Sequence, residues 1–377
     1  MRKEGFSRRR FIQGVAAGST GAALASLPAV VPAVEAPSPE PPFPATAENY
    51  PLAEPGKAGA LDHVKIVTLD SIREPHLGRI LGLSSGLEVK TCDSRDQFHS
   101  EVANAHIIYG GFSREDLAGA KQLRWIQYSA AGVESILWPE LVESPVVLTN
   151  MQRIYAPAIS ETVIALMLAL ARRLPQYALQ TREHQWKPIE GLVEISGMTM
   201  GLVGLGGIGS ETAYRAHYGF RMKILAVDPK PLPKPAFVAE LHSVDWLPQV
   251  VPQVDVLVSA APHTPVSQGM FNETLFRAMK PTAYFINVSR GKLVNTPALV
   301  RALREGWIAG AGLDVAYQEP LPAEDPLWAA PNLIITCHTS GWSPRTTDRQ
   351  MELFGENVRR YLQGLPLLNV VDKQRGY

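Results

Sequence analysis

Met198-Thr199-Met200-Gly201-Leu202-Val203-Gly204-Leu205-Gly206-Gly207-Ile208-Gly209 is an apolar run that ends in a glycine-patterned turn, and Ser210 to Tyr218 behind it carry helical spacing. A strand, a tight turn and a helix in that order make a cradle for pyrophosphate. In G-x-G-x-x-G the first glycine permits the turn and the second lets backbone N–H groups approach the phosphates. The third lets the helix pack closely on the strand, under the positive end of its dipole. The candidate cofactor residues are therefore Gly204, Gly206, Gly207, Ile208 and Gly209. A second apolar run, Lys223 to Val227, ends in Asp228, 19 residues beyond Gly209. A carboxylate there accepts hydrogen bonds from the adenosine ribose hydroxyls and repels a 2′-phosphate. Only Pro229 and Lys230 follow, with no arginine, so the pattern favours NAD over NADP.

The 377 residues are 46% apolar and 19% charged, enough for two substantial cores, and the formal net charge is +0. No basic block lies outside the first ten residues, which leaves no electrostatic footprint for nucleic acid or a membrane surface and makes small molecules the expected partners. Those first residues differ in kind. Ser7-Arg8-Arg9-Arg10-Phe11-Ile12 precedes a Gly/Ala-rich, weakly apolar run from Val15 to Leu27 and resembles a bacterial twin-arginine export signal. Cleavage after Ala25 or after Ala36 fits the small-x-small rule, and the run is too short and interrupted to span a membrane permanently. The expected location is the periplasm, with a cytoplasmic protein carrying a basic tail as the alternative. Cys92 and Cys337 are the only cysteines and are expected to be free thiols in different domains.

Strands alternating with helices predict an α/β protein built on parallel sheets. Strand candidates in the first part are Val64–Leu69, Leu87–Thr91, His106–Tyr109, Leu123–Tyr128 and Val146–Leu148, with a helix at Leu77–Leu83. Ala158–Leu174 reads as a long connecting helix. Past the glycine loop, strands are expected at Lys223–Val227, Val254–Ser259, Ala283–Val288, Ala309–Val315 and Leu333–Cys337, with helices at Asn272–Met279 and Thr296–Gly306. The amphipathic stretch Arg345–Gly364, with Met351, Phe354, Val358 and Leu362 on one face, comes too late for that sheet and is expected to return to the first domain. The expected division is a signal peptide over 1–36, a Pro-rich linker over 37–60, a discontinuous substrate domain over 61–155 plus 342–377, and a Rossmann-type NAD-binding domain over 156–341 inserted in it.

Three later residues point to a reaction. Arg290 in Asn287-Val288-Ser289-Arg290-Gly291, Glu319 after Gly312-Leu313-Asp314-Val315, and His338 after Leu333–Cys337 all follow the carboxyl ends of expected strands. In an open parallel sheet, ligands bind there. Hydride transfer to or from an alcohol carbon needs a partner for the hydroxyl proton, and histidine titrates near neutral pH. His338 fits that acid/base role, and Glu319 would hold and tune it. Arg290 would bind a substrate carboxylate and polarise the adjacent carbonyl.

The glycine loop, Asp228, NVSRG, GLDVxxxEP and the histidine at a strand end, in that order over Gly201 to Gly341, resemble the D-isomer-specific 2-hydroxyacid dehydrogenases. That family includes glyoxylate/hydroxypyruvate reductases and phosphoglycerate dehydrogenases. The resemblance implies a cofactor domain inserted in a flavodoxin-like substrate domain, a homodimer formed through the cofactor domains, and Arg290, Glu319 and His338 as the catalytic set. It implies that Ser129 to Val133 of YSAAGVE, including Ala131 and Gly132, grip the substrate carboxylate through backbone N–H groups. It further implies that Asp314 meets the nicotinamide amide and that Val288, Ser289 and the His338 to Gly341 segment line the nicotinamide pocket.

The chain departs from the family's pattern at Cys337, where many relatives have proline, and Trp342 beyond Gly341 either shapes the substrate end or packs between domains. His263 in APHTP either edges the cofactor or lies on a surface loop. His184, His106 and His99 have no metal-ligand spacing, and no catalytic metal is expected. The competing readings are a non-catalytic, regulatory dinucleotide-binding protein of the same fold and an exported receptor for small acids.

Overall fold

The computed structural model describes residues 62–377, so the expected signal peptide and almost all of the linker lie outside the described residues. The first part of the chain alternates β1 (Val64–Thr68), α1 (His76–Leu81), β2 (Leu87–Thr91), α2 (Arg95–Glu101), β3 (Ile107–Tyr109), α3 (Arg114–Gly119), β4 (Trp125–Gln127), α4 (Pro139–Glu143) and β5 (Val147–Thr149). The strands pair in parallel in the order β2-β1-β3-β4-β5, which is the flavodoxin-like arrangement.

The chain continues through α5 (Ala156–Ala171), α6 (Leu174–Arg182), β6 (Thr199–Val203), α7 (Gly207–Phe220), β7 (Lys223–Val227), β8 (Glu240–His242), α8 (Leu247–Val250), β9 (Val256–Ser259), α9 (Glu273–Ala278), β10 (Tyr284–Asn287), α10 (Thr296–Arg304), β11 (Gly310–Leu313) and β12 (Leu333–Ile335). Seven strands form a second parallel sheet in the order β12-β11-β10-β9-β6-β7-β8. Its strands are apolar on both faces because helices cover both. Along β9, Val256 and Val258 join Val163 and Leu166 of α5 and Ala213 of α7 in one core, whereas Leu257 joins Phe276 of α9 and Leu299 of α10 in the other. The strand order reverses between β6 and β9, which opens a crevice at their carboxyl ends.

The last helix, α11 (Pro344–Leu362), packs on the first sheet. Phe354 stacks on Tyr109 with ring centroids 4.3 Å apart, and Asn357 Nδ2 donates to Gln127 Oε1 at 2.9 Å. Val370 then bridges to Thr149 in antiparallel sense, so this part of the chain completes the core begun by β1 to β5.

Several boundaries differ from the sequence expectation for physical reasons. α7 starts at Gly207, three residues before Ser210, because the glycine turn itself supplies the first helical N–H groups. The helix expected to reach Leu174 stops at Ala171, where Arg173 takes φ +54 and the chain restarts as α6. The strand before His338 ends at Ile335 rather than Cys337, and His338 itself is left-handed at φ +57. β8 is three residues long at the sheet edge and half-buried, too short for periodicity to reveal. Both cysteines are free, Cys92 buried and Cys337 exposed.

Candidate active site

The glycine loop lies between β6 and α7 with Gly204 at φ +96, a conformation a side chain would strain and where an added Cβ would sit 2.7 Å from Ala260 O. On its outer side a Cβ at Gly206 would meet only Gln152 Nε2, at 4.0 Å, so backbone there is open to an incoming group. Gly206 caps the 14-residue helix α7 without a side-chain acceptor, leaving first-turn N–H groups for an anion. Ile208 lies half-buried in that same first turn. Asp228 stands at the end of the adjacent strand β7; its Oδ2 accepts from Leu205 N at 2.8 Å and its Oδ1 from Lys230 N at 2.9 Å. The Leu205 bond ties the carboxylate to the glycine loop, and each oxygen keeps a lone pair for a ribose hydroxyl. The residues present therefore fit a dinucleotide. Lys230 Nζ lies 4.4 Å over the ring of Tyr377, bringing the segment after α11 to the same end of the crevice.

The other end of the crevice is organised by β10, β11 and β12. Asn287 pairs with Leu313, and Gly291 packs so closely on the Ala316 backbone that no side chain fits between the two loops. This holds the Arg290 loop against the one that carries Glu319. Val288 and Ser289 are buried beneath it, with Ser289 Oγ bonded to Asn287 Oδ1 at 2.8 Å and to Ser259 Oγ at 2.7 Å. Glu319 Oε1 accepts from Ala316 N at 2.9 Å, and its Oε2 lies 2.6 Å from His338 Nδ1. A carboxylate only accepts, so Nδ1 carries the proton and Nε2 remains for exchange with substrate.

Asp314 organises the histidine segment. Its carbonyl accepts from His338 N at 2.7 Å, and its carboxylate, 1% exposed, takes Thr336 Oγ1 at 2.5 Å, Thr339 N at 3.1 Å and both the N–H and hydroxyl of Ser340. A left-handed histidine is costly, and this network holds it there. Asp314 thus positions the His338 segment, a use that the expectation of a nicotinamide contact did not contain. Gly341, at the end of this segment, lies against the ring of Tyr155.

The loop Ser129 to Val133 leaves the carboxyl end of β4. Its carbonyls are tied back: Ser129 O accepts from Tyr155 Oη at 2.9 Å, Ala130 O from Met151 N at 3.0 Å and Ala131 O from Asn150 Nδ2 at 2.7 Å. Arg290 reaches this loop from the other sheet. Its Nη2 occupies the space a side chain at Gly132 would take, its Nη1 donates to Ser289 O at 2.8 Å, and its Nε donates to Glu134 Oε1 at 2.5 Å. Val133 is buried beneath, in the core of the first sheet. Burial alone would raise the Glu134 carboxyl, but Arg290, its own backbone N–H and nearby His263 hold it below the usual range. His263 is half-buried, with Nε2 buried and bonded to nothing.

Sequence reasoning passed over Glu134, Asp70 and the Tyr155–Gln350 pair. Asp70 follows β1, and burial pushes its carboxyl up against a hydrogen bond from Ser129. Gln350 Nε2, on α11, donates to Tyr155 Oη at 2.7 Å and to Ser129 O at 3.2 Å. None belongs to a local motif; Glu134 alone had a hint, its place directly after the glycine and valine of the loop. Trp342 is 77% exposed, so among the described residues it is not an interdomain packing residue.

Residues 164–340 match the family model described as D-isomer specific 2-hydroxyacid dehydrogenase, NAD binding domain. Over a longer stretch, the chain is 33% identical over 293 residues to a glyoxylate reductase of Korarchaeum cryptofilum, covering 76% of this chain and 84% of that one. The chain belongs to the D-isomer specific 2-hydroxyacid dehydrogenase family. It is 32% identical over 316 residues to human glyoxylate reductase/hydroxypyruvate reductase, covering 78% of this chain and 94% of the relative. A solved family protein from Aeromonas salmonicida superposes with TM-score 0.72 at 31% identity, over 83% of this chain and all (100%) of that one. Another 2-hydroxyacid dehydrogenase, from Xanthobacter autotrophicus and solved with NADPH and MES, gives TM-score 0.73 at 27% identity, over 84% of this chain and 100% of the other. As a 2-hydroxyacid dehydrogenase the protein is an oxidoreductase whose chemistry is NAD(P)-dependent hydride transfer between 2-hydroxy and 2-keto acids.

Proposed function

We propose that the protein is an NADH-preferring reductase of small 2-keto acids of the glyoxylate or hydroxypyruvate type, with His338, Glu319 and Arg290 as its catalytic set. The observation that carries this reading is the 2.6 Å contact of Glu319 with His338 Nδ1 on a loop packed against the one bearing Arg290. The relatives' names supply the substrate class. Residues 61–155 with 342–377 act as the substrate domain and 156–341 as the cofactor domain, so the acid binds between them.

Nicotinamide supplies the hydride in reduction and accepts it in oxidation. In reduction His338 gives the proton from Nε2 to the carbonyl oxygen, and Glu319 holds the ring and stabilises the cation from which the proton leaves. Arg290 binds the carboxylate and polarises the carbonyl, while backbone groups of Ser129, Ala131, Gly132 and Val133 complete the anion subsite. Asp228 favours NAD by repelling a 2′-phosphate; the NADPH in the Xanthobacter protein makes cofactor choice the point to measure. Two copies pair through the cofactor domains. The arginines at Arg8 and Arg9 support export of the folded protein with cofactor bound.

Spectrophotometric assays of NADH and NADPH oxidation with glyoxylate, hydroxypyruvate and pyruvate test the activity. Binding of NADH without turnover of any 2-keto acid would overturn it. Fractionation of producing cells, with mass analysis of cofactor in the periplasmic protein, tests export; full-length, uncleaved protein confined to the cytoplasm is the result against it.

A further inference from the structure

The carboxylate of Glu134 lies where the proposed function needs a substrate carboxylate. Arg290 Nε donates to Glu134 Oε1 at 2.5 Å, and a Cβ at Gly132 would come within 2.7 Å of Glu134 Oε2, so the carboxylate lies beside the substrate loop as well. A guanidinium is the recognition group of a carboxylate subsite, and here the protein's own carboxylate occupies its Nε. The pair bridges the two sheets, since Glu134 follows β4 and Arg290 follows β10.

A second group marks where this carboxylate can go. His263, on the loop after β9, is among the groups that hold the Glu134 carboxyl below its usual range, yet its Nε2 is buried without a hydrogen-bond partner. A buried ring nitrogen with no partner carries a desolvation cost that a displaced carboxylate would relieve.

We propose that Glu134 is an internal competitor for the substrate-carboxylate subsite: it occupies Arg290 in the free enzyme and turns to His263 when a 2-keto acid anion binds. The inference rests on the proposed function, because it takes Arg290 and the Ser129–Val133 loop as the anion site. Glu134 is a positioning residue. It holds the arginine extended across the site until substrate arrives, and substrate affinity is the difference between two carboxylates competing for one guanidinium.

The test uses the full-length protein loaded with NADH and reads two quantities, glyoxylate KM and the Kd of oxalate by calorimetry. Glu134→Gln keeps the size and removes the charge, so oxalate Kd and glyoxylate KM are both expected to fall about fivefold, the scale of a partly exposed ion pair. His263→Ala is expected to raise oxalate Kd in the native background and to leave it unchanged in the Glu134→Gln background, since the ring matters only as the alternative partner. A Kd unchanged or raised by Glu134→Gln overturns the proposal, as does oxalate binding to neither protein. An equal effect of His263→Ala in both backgrounds overturns the exchange of partners. If the wild-type protein reduces no 2-keto acid yet Glu134→Gln still tightens oxalate, the competitor stands and the catalytic reading falls.

Discussion

Glu319 and His338 meet at 2.6 Å through Oε2 and Nδ1, and the same carboxylate accepts from the Ala316 backbone through its other oxygen. The backbone bond fixes the carboxylate, which in turn fixes ring orientation and tautomer. Both side chains are partly open to solvent, 49% for His338 and 37% for Glu319, so the pair contributes orientation more than stability. His338→Asn is expected to lower kcat by about 10²–10⁴ and Glu319→Gln by roughly 10², with cofactor affinity little altered. Steady-state kinetics alongside NADH fluorescence titration check this; unchanged kcat in His338→Asn would remove it as the acid/base.

Arg290 uses three nitrogens at once, on Glu134, on Ser289 O and against Gly132. A lysine cannot reproduce that fork. Arg290→Lys is expected to reduce kcat/KM for glyoxylate by about 10²–10³, the loss of a charge-assisted, two-point contact to the reacting acid. Melting temperature should move little, because lysine keeps a positive charge beside the partly exposed Glu134 carboxylate. A variant within threefold of wild type would show that another cation binds the acid.

Asp228 is held by Leu205 N and Lys230 N at the carboxyl end of β7, where the proposed function puts the adenosine ribose. Asp228→Ser is expected to weaken NADH about tenfold and to improve NADPH relative to NADH, since repulsion of a 2′-phosphate disappears. Titration of both reduced cofactors into wild type and variant measures the ratio. If the wild type already prefers NADPH, Asp228 does not control the choice.

His106 sets an acid limit on the first sheet. Its Nδ1 accepts from Lys65 N at 3.1 Å, which requires a neutral ring, and burial, then Arg124, His63 and Lys65, hold its pKa below the ordinary 6.5. A base with a lowered folded pKa resists protonation while the unfolded chain does not. Its stabilisation is therefore present above pH 6.5 and is lost as pH falls from there toward the folded value. Melting curves between neutral pH and pH 5 should show a decline that His106→Gln reduces; identical slopes would place the sensitivity elsewhere.

Much of the candidate site was legible because its pieces are local. The glycine loop is written in six consecutive residues, Asp228 in the end of the next strand, and Arg290, Glu319 and His338 each in a short motif beyond a strand. Backbone preference and apolar alternation act between near neighbours, so both sheets and the late return of α11 could be read from them. Where the reading slipped, short-range preference yielded to packing. The break at Arg173, the edge strand β8 and the left-handed His338 all answer to groups distant in sequence.

What the sequence by itself determined is therefore the order of chemical parts along two parallel sheets, because phosphate binding, hydride chemistry and carboxylate recognition each demand particular residue types at strand ends. What only the tertiary structure decided is who touches whom across the crevice. Glu134 and Arg290 are 156 residues apart, and nothing in either neighbourhood predicts that one neutralises the other. Asp314 likewise spends its carboxylate on residues 336 to 340, a commitment visible only when β11 and β12 lie side by side. Such pairings follow from how separate elements pack, since a charge half-withdrawn from water takes the partner that the packing brings within reach.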